Sequence, residues 1–490
     1  MTMFKRFLLI VLLVLPLASF AHVGSPDIYY DGYAGQYHLL VTIRPPAVIP
    51  GVAEIQVRCE SSDVNQVEIL PLRMVGDNLP PRPDVAERST GDPQLFTGHL
   101  WMMDRGSWKV QVNAYGQHGN AQMAVPVPAV SMNSASMKKT LGGLLGVLGL
   151  LLVAGFIGIV GAANREAKLD PEKDPTPWQR RRGLISMGLT TAFMIGVLLF
   201  GNKWWGSEAS ANAKLSYILP HLQASLQAGA LQLHLENPNE VSGFTQFGTE
   251  RPDRLRLDDL DLDHGHLMHL FLVRSDMKSF WHLHPNQIQT AQFTEELPDI
   301  PAGHYRIYAD IVHKTGFPET EMGEIELPAV AGKGLNGDDS GGAALSAGDK
   351  VSELSEGYRM VWERDSAPLK TKQPLWFRFH IEDKNGKLAT DLESYMGMAG
   401  HAAFIRDDGE VFAHVHPSGS VPMAAAEKAQ TAGSTPNSAS GMNMAMNHST
   451  PSAAVSFPYG FSQPGDYHIY VQVKRAGHVE TGAFLAHVEN

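Results

Sequence analysis

Two stretches decide the reading of this chain: His269-Leu-Phe-Leu-Val-Arg-Ser-Asp-Met-Lys-Ser-Phe-Trp-His282-Leu-His284-Pro285 and His401-Ala-Ala-Phe-Ile-Arg-Asp-Asp-Gly-Glu-Val-Phe-Ala-His414-Val-His416-Pro417. Three histidines and a proline recur at identical spacings. Each stretch leads into a Gly-x-Tyr-x-Ile-Tyr strand, Gly303 to Tyr308 and Gly465 to Tyr470, and then into Glu319-Thr320 or Glu480-Thr481. A series matched over that length marks a duplicated β-unit. Asp408-Gly409, between two β-branched and aromatic runs, predicts a hairpin. His401 then lies opposite His416, and Ala403 opposite His414. The first copy turns at Asp276-Met277 and sets His269 opposite His284. Opposed residues share a face, as do residues two apart on one strand. Three imidazoles should therefore project from one side of each ribbon, with opposed Cβ atoms about 4.5–5.5 Å apart. A slip of one residue in register would send one strand's side chains to the other side.

Just upstream the copies differ. The first has His264-Gly-His266-Leu-Met-His269 and the second Met396-Gly-Met398-Ala-Gly-His401. Imidazole and thioether have little in common as packing groups, but both bind metals. Thioether selects Cu(I), and imidazole serves copper and zinc alike. The expected ligands are His264, His266, His269, His282 and His284 in the first copy, and Met396, Met398, His401, His414 and His416 in the second. Copper is the expected ion, with zinc an option at the first repeat. Met442, Met444, Met446 and His448 add a soft-ligand string. The competing reading has each His-x-His-Pro as an exposed strand end, its rings satisfied by main chain or water. Matched spacing in two copies, with the His-to-Met exchange, weighs against it.

Residues 331–350, rich in Gly, Ser, Ala and Asp, read as a linker between the repeats, 206–330 and 351–490. Residues 421–454 read as a Met-rich insertion within the second repeat. Further upstream, residues 141–162 and 183–202 are uncharged and long enough to span a bilayer, which takes about 20 residues. Gly142 and Gly146 stand at the spacing that lets such helices pack closely. The intervening residues 163–182 hold Arg165, Lys168, Lys173, Arg180, Arg181 and Arg182 and should stay cytoplasmic. Residues 1–21 read as a secretory signal: Lys5 and Arg6, an apolar run, then Ser19-Phe20-Ala21. Cleavage there would make His22 the mature N-terminus, a further copper candidate through its amine and ring. Residues 22–130 alternate apolar and polar in short runs broken by Pro45-Pro46 and Pro50-Gly51, a small β-sandwich pattern.

Composition narrows the function. The chain has 490 residues, a net charge of −12, 39 Lys plus Arg against 51 Asp plus Glu, and one cysteine against 21 His and 20 Met. That balance argues against a nucleic-acid partner. A single Cys59 excludes an internal disulfide and cysteine-rich zinc sites. No nucleophile-elbow, phosphate-loop, dinucleotide or HExxH motif appears, so no enzyme is expected.

The exported start Ala21-His22-Val23, followed by a small sandwich, resembles periplasmic copper-binding CopC-type domains. A sandwich with a membrane anchor is similar to the FixH and YtkA-like families. The resemblance implies immunoglobulin-like folds and metal handling or oxidase assembly at the inner membrane. It carries over only His22. The expectation is therefore a mainly β protein, with several immunoglobulin-like β-sandwiches and a two-helix transmembrane hairpin. It would sit in the inner membrane with its N- and C-terminal domains in the periplasm, bind copper, and meet partner membrane or periplasmic proteins. The alternative is a non-catalytic assembly or scaffold protein with structural histidines.

Overall fold

In the strand His269–Arg274 the apolar pattern runs on both sides. Leu270 and Leu272 join the core of the first repeat, whereas Phe271 and Val273 face the second repeat. Ala402 and Phe404 likewise enter the second repeat's core, while Ala403 and Ile405 face the first. Each repeat thus buries one sheet on both faces, and the face shared by the two is where the histidines stand.

The computed structural model describes residues 27–60, 63–75, 80–132, 137–170, 172–213, 217–237, 256–335, 337–432 and 452–490. The expected signal, His22, and the string Met442, Met444, Met446 and His448 lie outside them. The protein is mainly β, with several sheets forming sandwiches and two long apolar helices. Met1–Ala129 with Ile218–Asn490 form one unit and Val130–Tyr217 the other.

In the helical unit, Lys139–Glu166 and Pro177–Ala213 are both long and apolar enough to cross a membrane. Their exposed side chains include Leu144, Leu151, Phe193 and Phe200. The second helix starts well before the expected residue 183. Thr176 and Gln179 cap it reciprocally, at 2.8 and 3.3 Å, and Pro177 fills its first position, where no amide is needed. The non-helical stretch is therefore shorter than 163–182. The helices meet at Gly161 and Gly183, where a Cβ on Gly183 would lie 3.1 Å from the Gly161 carbonyl oxygen. Gly146 faces open space, so the expected Gly142/Gly146 pair does not make the crossing.

In the β unit, one N-terminal sheet runs in the order Ile28–Ala34, Tyr37–Arg44, Gly51–Cys59, Leu95–Met102, Glu87–Arg88. It packs on a second sheet containing Val64–Arg73, Gly106–Gly116 and Gly119–Ala129. This sandwich does not stand apart from the repeats. Its core continues into Val312, Val421 and Ala424 to Ala426. Gln430 clamps the Ala124 main chain at 3.1 and 2.8 Å, and Lys109 Nζ donates to the Ala429 carbonyl at 2.7 Å. These contacts come from the helix Met423–Thr431, which lies within the expected Met-rich insertion 421–454. Its buried Ala424, Ala425, Ala426 and Ala429 are strong helix formers small enough for close docking.

Both hairpins have the register read from the turns. Ala403 pairs with His414 and Ala402 with Val415; Phe271 pairs with His282 and Leu270 with Leu283. Gly409 and its counterpart Met277 both take left-handed turn conformations, with φ 74° and 58°. Each hairpin pairs with a long strand, Gly303–His313 or Gly465–Arg475, and that strand with Pro318–Leu327 or His478–Glu489. Where the two faces meet, contacts come in reciprocal pairs. Tyr308 donates to the Gly409 carbonyl at 2.8 Å and Tyr470 to that of Met277 at 2.6 Å. Tyr308 stacks on Phe412 and Tyr470 on Phe280, both at 4.3 Å. Residues 331–350 are not a free linker. Ser340–Gly342 adds a strand beside Phe280–Leu283, Gly341 allowing the chain to press against that strand's main chain.

Candidate metal centre

The aromatic contacts occupy the turn end of the shared face. At the other end the histidines of the two repeats meet. The sequence assigned a separate ligand set to each copy; the structure brings His264, His266, His269, His282, His284, His401, His414 and His416 into one cluster. His401, His414 and His416 have mutual ring distances of 4.5–5.5 Å. His269, His282 and His284 lie at 4.6–5.3 Å. Across the face, His269 and His282 each lie 5.5 Å from His414, and His282 lies 6.0 Å from His401.

Two trios bring ligand nitrogens within 4.8 Å of one another: His269, His282 and His284, and His264, His401 and His416. The first is the expected hairpin trio. The second is not, because it takes His264 from the first repeat in place of His414. The turns Asp263–His266 and Tyr395–Met398 have the same hydrogen-bonded form. His264 and Met396 share left-handed conformations, with φ 51° and 48°. From its turn, His264 reaches across to rings 5.2 and 5.0 Å away on His401 and His416. Its Nδ1 donates to the carbonyl of Met396, its own counterpart, at 2.8 Å. Met396 thus acts on the cluster through its main chain. The half-buried Met398 closes the turn through its own carbonyl. His266 stacks on His284 at 4.1 Å, with its Nε2 3.4 Å from Asp338, at the partly exposed rim.

The remaining hydrogen bonds fix which nitrogens are free. Carbonyl oxygens only accept, so the nitrogen facing one must carry the proton. His416 Nδ1 donates to the Val421 carbonyl at 3.2 Å, His284 Nδ1 to Asp339 at 3.0 Å, and His282 Nδ1 to Gln472 Oε1 at 3.0 Å. His414 Nδ1 donates to Asp310 at 3.2 Å. His269 donates instead through Nε2 to the Asp263 carbonyl at 3.1 Å, which leaves Nδ1 3.0 Å from His282 Nε2. Two imidazole nitrogens on one tetrahedral ion, each at ~2.0–2.1 Å, lie ~3.3 Å apart. The buried Nε2 atoms of His264, His284, His401, His414 and His416 have no hydrogen-bond partner among the described residues, and neither has Nδ1 of His401. Outer oxygens that orient a ring and leave its second nitrogen bare are what ligating histidines have. Asp310 and Gln472, at equivalent positions on the two long strands, each serve the other repeat's hairpin. Thr320 and Thr481 bond them at 2.6 and 3.3 Å.

The cluster is dry. His269, His282, His401 and His416 are at most 2% exposed. Burial, and then the neighbouring rings, hold His282, His284, His401 and His416 well below the ordinary imidazole range. Burial and His269 do the same for His414. These rings are neutral at pH 7 and keep the lone pair that a metal needs. Burial also pushes Asp310 up to about 6, against the Thr320 hydrogen bond. His313, given no role from sequence, lies outside the cluster. Burial lowers its pKa, but hydrogen bonds to Asp259 and Glu319, at 2.9 and 2.8 Å, outweigh this and hold it at about 9. Sequence reasoning missed Asp310, Gln472, Asp339 and Ser340. The two strand residues occupy matched positions in the repeat, which was the available signal.

The domain of unknown function DUF8832 matches residues 231–322 and 352–490, the segments that carry the two repeats. No curated protein matches the chain. Among solved structures, native Escherichia coli alpha-2-macroglobulin is 10% identical over 96% of this chain and 23% of that chain, with a TM-score of 0.20. Salmonella alpha-2-macroglobulin reacted with methylamine is 9% identical over 96% and 24%, with a TM-score of 0.19. An engineered protein is 18% identical over 19% and 20%, with a TM-score of 0.15. The chain spans about a quarter or less of the length of these proteins.

Proposed function

We propose that the chain is a membrane-anchored copper-binding protein that holds its ions in the imidazole cluster between its repeats and sequesters them or passes them to a partner protein. The observation that carries this reading is the set of orphaned, buried Nε2 atoms on His264, His284, His401, His414 and His416. A buried polar atom with no partner costs about 1–3 kcal/mol, and a bound ion removes several such costs at once. Every donor in the two trios is an imidazole. Such sites suit copper and zinc, and copper binds more tightly at equal geometry. The arrangement supports binding, with no substrate turned over.

The apolar helices Lys139–Glu166 and Pro177–Ala213 anchor the protein in the inner membrane. Arg165, Lys168, Lys173 and Arg180 to Arg182 keep the segment joining them in the cytoplasm, so both β regions face the periplasm. CopC-type, FixH and YtkA-like proteins, which the N-terminal sequence resembles, imply the same compartment.

Full-length protein, purified in detergent and stripped of metal, tests the reading by elemental analysis after loading with copper or zinc. Two copper ions per chain are expected. The double variant His282→Ala with His401→Ala, which takes a ligand from each trio, should bind fewer than one. Undiminished copper in that variant, with its melting curve intact, contradicts the reading.

A further inference from the structure

We propose that the two trios hold a coupled pair of copper ions sharing one exchangeable hydroxide bridge, which hydrogen-bonds to His414. The proposal rests on the copper-binding reading and adds that the ions act as one centre.

The first ground is position. Rings of opposite trios lie 5.9 Å apart at His264 and His269 and 6.0 Å apart at His282 and His401. Rings this close set the two metal positions side by side. Two-metal sites hold their ions about 3.5–4 Å apart, a span that one bridging oxygen covers. Three nitrogens also leave a four-coordinate ion one open position, the arrangement of metal sites that take an exchangeable ligand. With the trios facing, one ligand can fill both open positions.

The second ground is His414. It belongs to neither trio, although its counterpart His282 belongs to one. Its ring lies 5.5 Å from those of His269, His282 and His401 and 4.5 Å from that of His416, between the two groups. Asp310 holds its Nδ1 proton at 3.2 Å, and its buried Nε2 has no partner. Nε2 is therefore an acceptor only. A bridging hydroxide offers the matching O–H, whereas a bare anion does not.

The third ground is charge. An imidazole that gives its lone pair to an ion adds no charge, and the trios hold no carboxylate, so two ions bring their full charge into a low-dielectric site, where like charges repel strongly. The carboxylates of Asp263, Asp310 and Asp339 stand behind the rings and belong to neither trio. An anion between the ions offsets the repulsion where it is largest. The cluster reaches partly exposed surface at its rim, at His266 and Asp338.

The test uses full-length protein in detergent loaded with Cu(II). Bound copper is compared with the spin count from electron paramagnetic resonance, and azide is titrated in as a competing bridge. A coupled pair gives two copper ions per chain, a spin count well below half of the copper, and saturation at one azide per two copper ions. His264→Ala and, independently, His269→Ala each remove one trio. Each should bind one copper ion with its full spin intensity, so the prediction survives if either variant fails to fold. Two ions with full spin intensity and one azide each would overturn the pair and leave copper binding standing. Loss of spin intensity persisting in both variants would overturn the assigned ligands. A chain that binds no copper would overturn both readings.

Discussion

Gln472→Leu removes the hydrogen bonds by which one repeat's long strand holds the other repeat's trio, to His282, Ser340 and Thr481. Gln472 is 2% exposed and lies on the second repeat's long strand, yet it serves the first repeat's trio. Its Oε1 accepts from His282 Nδ1 at 3.0 Å, and its amide nitrogen donates to Ser340 Oγ at 2.5 Å. Leucine has similar bulk but removes the acceptor and leaves the buried ring N–H only the longer 3.5 Å contact to the Tyr395 hydroxyl. An unpaired buried donor costs about 1–3 kcal/mol, so the metal-free variant should melt a few degrees lower. Loss of the oxygen that orients a ligating histidine typically weakens metal binding about 10–100-fold, or about 1.4–2.8 kcal/mol. The assay is Cu(I) competition against a chromogenic chelator with full-length protein, run beside a melting curve. Gln472→Glu keeps an acceptor and should restore most of the affinity. Affinity unchanged within twofold in the leucine variant, with the fold intact, would refute the claim that this contact positions a ligand.

The remaining predictions concern stability. Tyr308→Phe and Tyr470→Phe each orphan a carbonyl, of Gly409 and Met277. Each should cost about 1–3 kcal/mol in urea unfolding, and no loss in either would mean that the face between the repeats is not held as described. His313, raised from the ordinary 6.5 to about 9, stabilises the fold fully below pH 6.5 and loses that contribution as pH rises through 9. A denaturation series from pH 6 to pH 10 should show this decline in the parent and a flatter profile in His313→Gln; equal profiles would count against the assigned ion pairs. In the helical unit, Gly183→Val should disrupt the crossing and Gly146→Val should not, because only the former meets main-chain atoms. Melting in detergent reads the difference, and the reverse ranking would contradict the crossing.

The register of both hairpins was legible because turn position and the period of two together fix which residues oppose, as Ala403 with His414 shows. The duplication was legible for the same reason, as an ordered series of spacings. The regrouping of the trios was not. It depends on how far the Asp263–His266 turn leans over the other repeat, a tertiary matter to which residue spacing is blind. Ser340–Gly342 and Met423–Thr431 were hidden by composition, since Gly-, Ser- and Ala-rich sequence reads as loop until a neighbour supplies the packing. The Gly142/Gly146 spacing misled because Gly–x–x–x–Gly describes a surface that permits close packing without specifying its partner, and here Gly161 and Gly183 meet instead.

Anomalous diffraction at the copper edge, from crystals of copper-loaded full-length protein, tests the central claim most directly. The account expects two peaks, one among His269, His282 and His284 and one among His264, His401 and His416. Copper found elsewhere in the chain, with this cluster showing no peak, would contradict it.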